Sequence, residues 1–182
     1  MSEAMQIDEE LLVIRCQLGE RRAVYALIAR WAGAVAGYAR RVCEDEDAAA
    51  ELTQDIWLRV FRGIGRLQDP RRFRAWLFGI AHRAFMDLLR RRYRQVPPLP
   101  DDDGEGTEDD SHDRHHDLER IERGLARLPP TEREILTLFY LQELTIEEAA
   151  TALAIPPGTV KSRLHRARKL LRSDLEKEGD RM

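Results

Sequence analysis

Cysteine is scarce in this sequence: Cys16 and Cys43 stand far apart, with no His or Cys companion at ligand spacing. That excludes a disulfide framework and a thiolate zinc site, and leaves two ordinary thiols. Long apolar runs are missing as well. No stretch approaches the roughly 20 apolar residues that a membrane span needs, and the opening MSEAMQIDEE carries acids where a secretory leader carries positive charge. The expectation is a soluble, cytoplasmic protein with no membrane insertion. Sustained period-two alternation is absent, so no strands are predicted. Enzyme signatures are lacking too: there is no phosphate-binding glycine loop, no HExxH, no CxxC and no supported Ser/His/Asp arrangement. Asp101 to Asp103 could hold magnesium for a nuclease only poorly, because the surrounding Pro- and Gly-rich stretch offers no fixed geometry. His112, His115 and His116 sit in the same stretch and read as polar filler. No catalytic residue, metal or cofactor is assigned, and the protein is not expected to be an enzyme.

What the chain does have is charge, sorted by position. The formal net charge is only −3 over 182 residues, yet residues 71 to 94 hold eight Arg against the single acid Asp87. Residues 157 to 172 hold six basic residues and no acid, while 101 to 117 hold nine acids against one Arg. Pro97, Pro98, Pro100, Gly104 and Gly106 fall in or just before the acidic stretch, which has almost no apolar residues to offset the entropy of ordering. It reads as a flexible acidic linker over 95–117, between an N-terminal domain, 1–94, and a C-terminal domain, 118–182.

Both domains read as helical, so the predicted fold is all-α: two small helical domains, the second with a helix-turn-helix. Val24, Leu27, Ile28, Trp31, Val35, Tyr38 and Val42 recur at spacings of three and four, the stripe of a long helix. DEDAAAELTQDIWLRVFRGIGRL opens with acids suited to a helix N-terminus, places Leu52, Ile56 and Val60 on one stripe, and breaks at Gly63 and Gly65. A third helix follows Pro70. Its apolar stripe is Phe73, Leu77, Ile80, Ala84 and Leu88, while Arg72, Trp76, Arg83, Asp87, Arg90 and Arg94 share another face. Guanidinium groups pair with phosphates and aromatic rings stack on exposed bases, so this face suits a nucleic acid better than plain solvation does.

The C-terminal half contains two capping-box patterns, Thr131 with Glu134 and Thr145 with Glu148. A turn at Pro156, Pro157 and Gly158 then separates two helices, the second starting near Thr159. There Val160, Leu164, Ala167 and Leu171 face inward, and Ser162, Arg163, Arg166 and Lys169 face outward, with Thr159, Lys161 and His165 near the amino end. A helix-turn-helix lays such a second helix in the DNA major groove, and Arg is the usual partner of guanine's two acceptors.

These residues carry a resemblance over roughly 11 to 175. DAAAELTQDIWLRVFRGI with FRAWLFGIAHRAFMDLLRRR is similar to region two, and LPPTEREILTLFYLQELTIEEAATALAIPPGTVKSRLHRAR to region four, of bacterial RNA polymerase sigma factors of the extracytoplasmic-function group. The resemblance implies a transcription initiation factor that binds core RNA polymerase, recognises promoter DNA as duplex and as melted strand, and answers to an anti-sigma factor. By position, it implies that Gln54, Asp55, Trp57, Arg59 and Phe61 bind the core enzyme. Arg72, Trp76, Arg83, Asp87 and Arg90 would take the minus-ten element, and Thr159, Lys161, Ser162, Arg163, His165, Arg166 and Lys169 the minus-thirty-five element. The linker, roughly 22 residues, would average nearer 26 Å as a coil and reach about 70 Å extended. A stand-alone regulator using only the helix-turn-helix, with the N-terminal half for dimerisation, is the competing reading.

Overall fold

Leu27, Trp31, Val35, Tyr38 and Val42 are all buried on one face of α2 (Arg21–Val42), where their three-and-four spacing puts them. The structure is a computed structural model and describes residues 3–95 and 114–179; Asp101 to Asp103, His112 and most of the expected linker lie outside them. A helix that the sequence did not signal, α1 (Glu3–Gln17), precedes α2. It ends at Gly19, whose φ of +80° is the left-handed conformation that lets Glu20 N–H reach back to the Arg15 carbonyl at 3.1 Å. The Gln17 side chain then donates to the carbonyls of Ile64 (3.0 Å) and Leu67 (2.7 Å), tying α1 to the connection that follows the third long helix.

Asp45 opens α3 (Glu46–Gly63) by accepting the Ala48 N–H at 2.7 Å, and Leu52, Ile56 and Val60 form its buried stripe as predicted. Two 3-10 turns (Ile64–Arg66 and Pro70–Arg72) lead into α4 (Phe73–Gln95), which buries Phe73, Leu77, Ile80, Ala84 and Leu88. Trp31 meets Phe73 and Phe78 edge-on, at 5.9 and 6.3 Å between ring centroids, at the centre of this four-helix half.

The second half begins at α5 (Arg114–Ala126), which reaches back into the stretch expected as linker. Next come α6 (Pro130–Leu136), a π-type turn (Thr137–Leu141), α7 (Ile146–Leu153) and α8 (Pro157–Gly179). The described residues contain no strand. Thr145 and Glu148 form the expected capping box, with bonds of 3.1 and 2.8 Å. Thr131 and Glu134 do not. Pro129 occupies the N-cap of α6 and Pro130 its first turn, where it has no amide to satisfy, and Glu134 is turned inward instead. α7 ends at Ala154, with φ of 53°, and the second helix of the helix-turn-helix starts at Pro157, slightly before the expected Thr159, where proline's fixed φ and missing amide suit a first helical position.

The two halves pack together, α4 on α7 and α2 on α6. A Cβ at Gly79 would lie 3.4 Å from the Ala152 carbonyl oxygen, so α7 packs against α4 here at van der Waals distance. Glu134, 1% exposed, accepts the Tyr38 hydroxyl at 2.6 Å, and His82 Nδ1 lies 3.0 and 3.1 Å from its two oxygens. Burial first, and then the Glu134 carboxylate, hold the Tyr38 phenol well above its ordinary range. Arg74 donates to the Gln142 carbonyl, and Arg41 pairs with Glu122 at 3.4 Å.

Candidate polymerase and nucleic-acid interfaces

With Leu52, Ile56 and Val60 turned inward, the opposite side of α3 presents Gln54, Trp57, Leu58 and Phe61. Trp57 is half-buried and stacks on Phe61 at 5.7 Å between centroids. Leu58 and Phe61 are 45% and 39% exposed. Trp57 also packs against the core, so the exposed part of this ridge is Leu58 and Phe61 on an otherwise charged surface, which is the chemistry a docking surface offers. Leu58 was not among the predicted residues, although its place four positions after Gln54 and three before Phe61 puts it on the same face. Asp55 and Arg59, both predicted here, are engaged with each other through Nε (3.0 Å) and Nη2 (2.9 Å).

The third contact of Arg59 joins two groups that the sequence had assigned separately. Its Nη1 donates to Asp87 on α4 at 2.7 Å, and Asp87 also accepts from Arg90. Arg90, then Arg59, hold the Asp87 carboxyl below its ordinary range. Asp87 and Arg90 are therefore the far end of an ion-pair chain anchored on α3. They do not converge with the other predicted minus-ten residues.

Those others do converge. Arg72, Trp76 and Arg83 line a cleft of about 390 Å³, together with Arg66, Leu67, Gln68 and Asp69 from the loop before α4, with Gly79, and with Thr151 from α7. Trp76 sits 5.9 Å from the Phe73 ring, and a Cβ at Gly63 would lie 3.1 Å from its six-membered ring, so the indole is wedged in place. Asp69 shapes the loop by accepting both the amide and the Nε of Arg71 at 3.1 Å. The cleft thus offers one fixed aromatic wall and three guanidinium groups, which is what stacking a base and holding its phosphates requires. Arg66 and Gln68 were missed because a loop has no periodicity to mark its inward positions.

On α8, Val160, Leu164 and Ala167 are buried and Leu171 half-buried, while Lys161, Ser162, His165, Arg166 and Lys169 are exposed and Thr159 and Arg163 half-buried. The Ser162 hydroxyl donates to the Thr159 carbonyl of its own helix at 3.0 Å. Arg166 is among the exposed residues of this face. Its side chain is 70% exposed, while its Nε lies 3.2 Å from a carboxylate oxygen of Glu132, whose side chain is 8% exposed.

An exposed basic helix after a tight turn, and a second basic cleft with an aromatic wall, are features suited to a helical nucleic-acid-binding protein. The Sigma-70 region 2 family model matches residues 27–95, and the Sigma-70, region 4 model matches residues 118–171. The chain is 30% identical to the RNA polymerase sigma-H factor of Pseudomonas aeruginosa, over 94% of this chain and 95% of that one. It is 35% identical to the ECF RNA polymerase sigma factor SigE of Mycolicibacterium smegmatis, over 84% of this chain and 62% of that one. Among solved structures, the sigma factor RpoE in complex with the anti-sigma factor NepR from Bartonella quintana superposes with a TM-score of 0.67 at 27% identity, covering 84% of this chain and 96% of that one. This chain belongs to the extracytoplasmic-function group of the sigma-70 family of RNA polymerase sigma factors. Such proteins are promoter-specific transcription initiation factors that work with RNA polymerase, and they are not enzymes.

Proposed function

We propose that this factor docks on core RNA polymerase through the α3 ridge of Gln54, Trp57, Leu58 and Phe61. The α4 cleft then holds the melted minus-ten strand, and α8 reads the minus-thirty-five duplex. One observation carries the reading: the two basic surfaces differ in shape. The cleft at Trp76 is concave, with the indole as one wall and Arg72 and Arg83 beside it, and suits an unpaired base. The α8 surface is an exposed helix face carrying Lys161, Arg166 and Lys169, and suits a major groove. Asp55 and Arg59 serve the docking surface indirectly, by bracing α3 against α4 through Asp87. The factor acts in the cytoplasm, where its polymerase is, and its partner set includes an anti-sigma factor, like that bound to the similar RpoE.

The test is open-complex formation with purified core enzyme on a mapped promoter, followed by permanganate reactivity of the melted thymines. Trp76→Ala should abolish or strongly reduce reactivity while leaving co-elution with core intact. Trp57→Ala combined with Phe61→Ala should do the reverse, losing co-elution first. Full melting by Trp76→Ala would remove the cleft from the reading.

A further inference from the structure

Helix α1 lines none of the surfaces described above, yet its last residue ends on the wall of one. Gln17 is half-buried and sends a single carboxamide nitrogen to two backbone oxygens, that of Ile64 at 3.0 Å and that of Leu67 at 2.7 Å. Ile64 opens the first 3-10 turn and Leu67 closes it, its N–H returning to the Ile64 oxygen at 3.1 Å. The same stretch supplies Arg66, Leu67, Gln68 and Asp69 to the Trp76 cleft. We propose that Gln17 is a positioning residue for the minus-ten strand: by holding the Ile64 and Leu67 carbonyls it fixes the loop wall of the cleft, with Arg66 and Gln68, relative to Trp76. The proposal rests on the reading of that cleft as the minus-ten site.

The contact needs an amide. A Gln side chain carries two N–H donors on one nitrogen, one for each oxygen, whereas a carboxylate in the same place would face both oxygens with acceptors only. The Leu67 carbonyl and the Gln68 N–H share one rigid peptide plane, so holding the oxygen also sets the direction in which the chain leaves Leu67 toward Gln68. Leu67 is extended, with ψ of 109°, and packs against the core, while Arg66 and Gln68 on either side of it are exposed. The far end of the tie is firm: Val13 and Cys16 of α1 are buried, and Glu9 meets Arg30 of α2 at 3.2 Å. The bonds internal to the loop, Leu67 N–H to the Ile64 carbonyl and Arg72 N–H to the Asp69 carbonyl at 3.0 Å, close its two turns without joining either to another element. Gln17 makes that join.

Two variants of the full chain test this. Gln17→Met keeps the length of the side chain and removes both donors, and Gln17→Glu keeps its shape and offers only acceptors. In the free chain, hydrogen exchange of the peptide covering residues 64–72 should rise about tenfold in Gln17→Met, the scale of losing two hydrogen bonds of ordinary net strength, with exchange elsewhere in α3 and α4 unchanged. With core enzyme, open-complex formation should fall by a similar factor on the preferred minus-ten sequence and by less on its single-base variants, so that base preference flattens. Co-elution with core and the response to changes in the minus-thirty-five element should stay as in wild type. Gln17→Glu should show the same pattern to a greater extent. Unchanged exchange in the loop, or a loosened loop with wild-type base preference, overturns the proposal. An equal fall on every minus-ten sequence overturns it too, because that is what a merely structural role produces. Failure of the underlying cleft reading shows separately, as normal promoter melting by Trp76→Ala in the presence of core enzyme.

Discussion

Arg166 stands on α8 with one edge of its guanidinium facing Glu132, which leaves both terminal nitrogens for the groove. A bidentate contact to guanine through those nitrogens is worth about 1 to 3 kcal/mol of discrimination. Arg166→Ala should lose that amount at a single base pair, and Glu132→Gln should lose part of it at the same pair by freeing the guanidinium to rotate. The double variant should be little worse than Arg166→Ala alone, because the two residues act as one unit. Competition binding across single-base variants of the minus-thirty-five element checks this. Asp87 makes a different residue-scale prediction. Its folded-state pKa is depressed by Arg90 and Arg59, so its contribution to stability is present above the ordinary carboxylate range and is lost as pH falls through the folded value. Asp87→Asn should therefore lower the melting temperature at neutral pH, and the gap from wild type should close in acid. A gap that stays constant with pH would assign the loss to packing.

At the scale of the element, two look-alike sequence patterns behave differently. Thr145 and Glu148 cap α7 with reciprocal bonds, and Thr145→Ala should cost about 1 kcal/mol in denaturant unfolding. Thr131, which makes no cap on α6, should tolerate the same change with little effect. The difference was invisible in sequence because a Glu at the third position can cap its own helix or reach elsewhere, and only tertiary contacts decide between them. The stripes of α2, α3, α4 and α8 were legible because a single apolar face at period 3.6 dictates both the helix and its burial. Helix α1 was not. Leu11, Leu12, Val13 and Ile14 run consecutively, so no stripe stands out, and only Val13 among them is buried. The candidate site divides in the same way: the outward face of α8 and the Trp57 ridge follow from helical spacing, whereas Arg66 and Gln68 enter the cleft from a loop.

For the whole molecule, the sequence points to two halves and a charged connection, but not to the contact between them. Tyr38 and Glu134 are 96 positions apart, and nothing local marks either as a partner of the other. That contact yields a prediction about order of events. A Cβ on residue 79 would lie 3.5 Å from Ala152 Cα, close enough for a Gly79→Cys, Ala152→Cys pair to form a disulfide once Cys16 and Cys43 are changed to Ser. The oxidised chain keeps Gln54, Leu58 and Phe61 exposed, so it should still co-elute with core enzyme. It should fail to initiate at promoters that need both elements, because α8 cannot travel while α7 is tethered to α4, and reduction should restore run-off transcription. The reduced double-Cys chain serves as the control for any direct effect of the Gly79 side chain on the cleft. Unimpaired initiation by the oxidised chain would mean that the two elements are read without separation of the halves, and the closed arrangement would then be the working form.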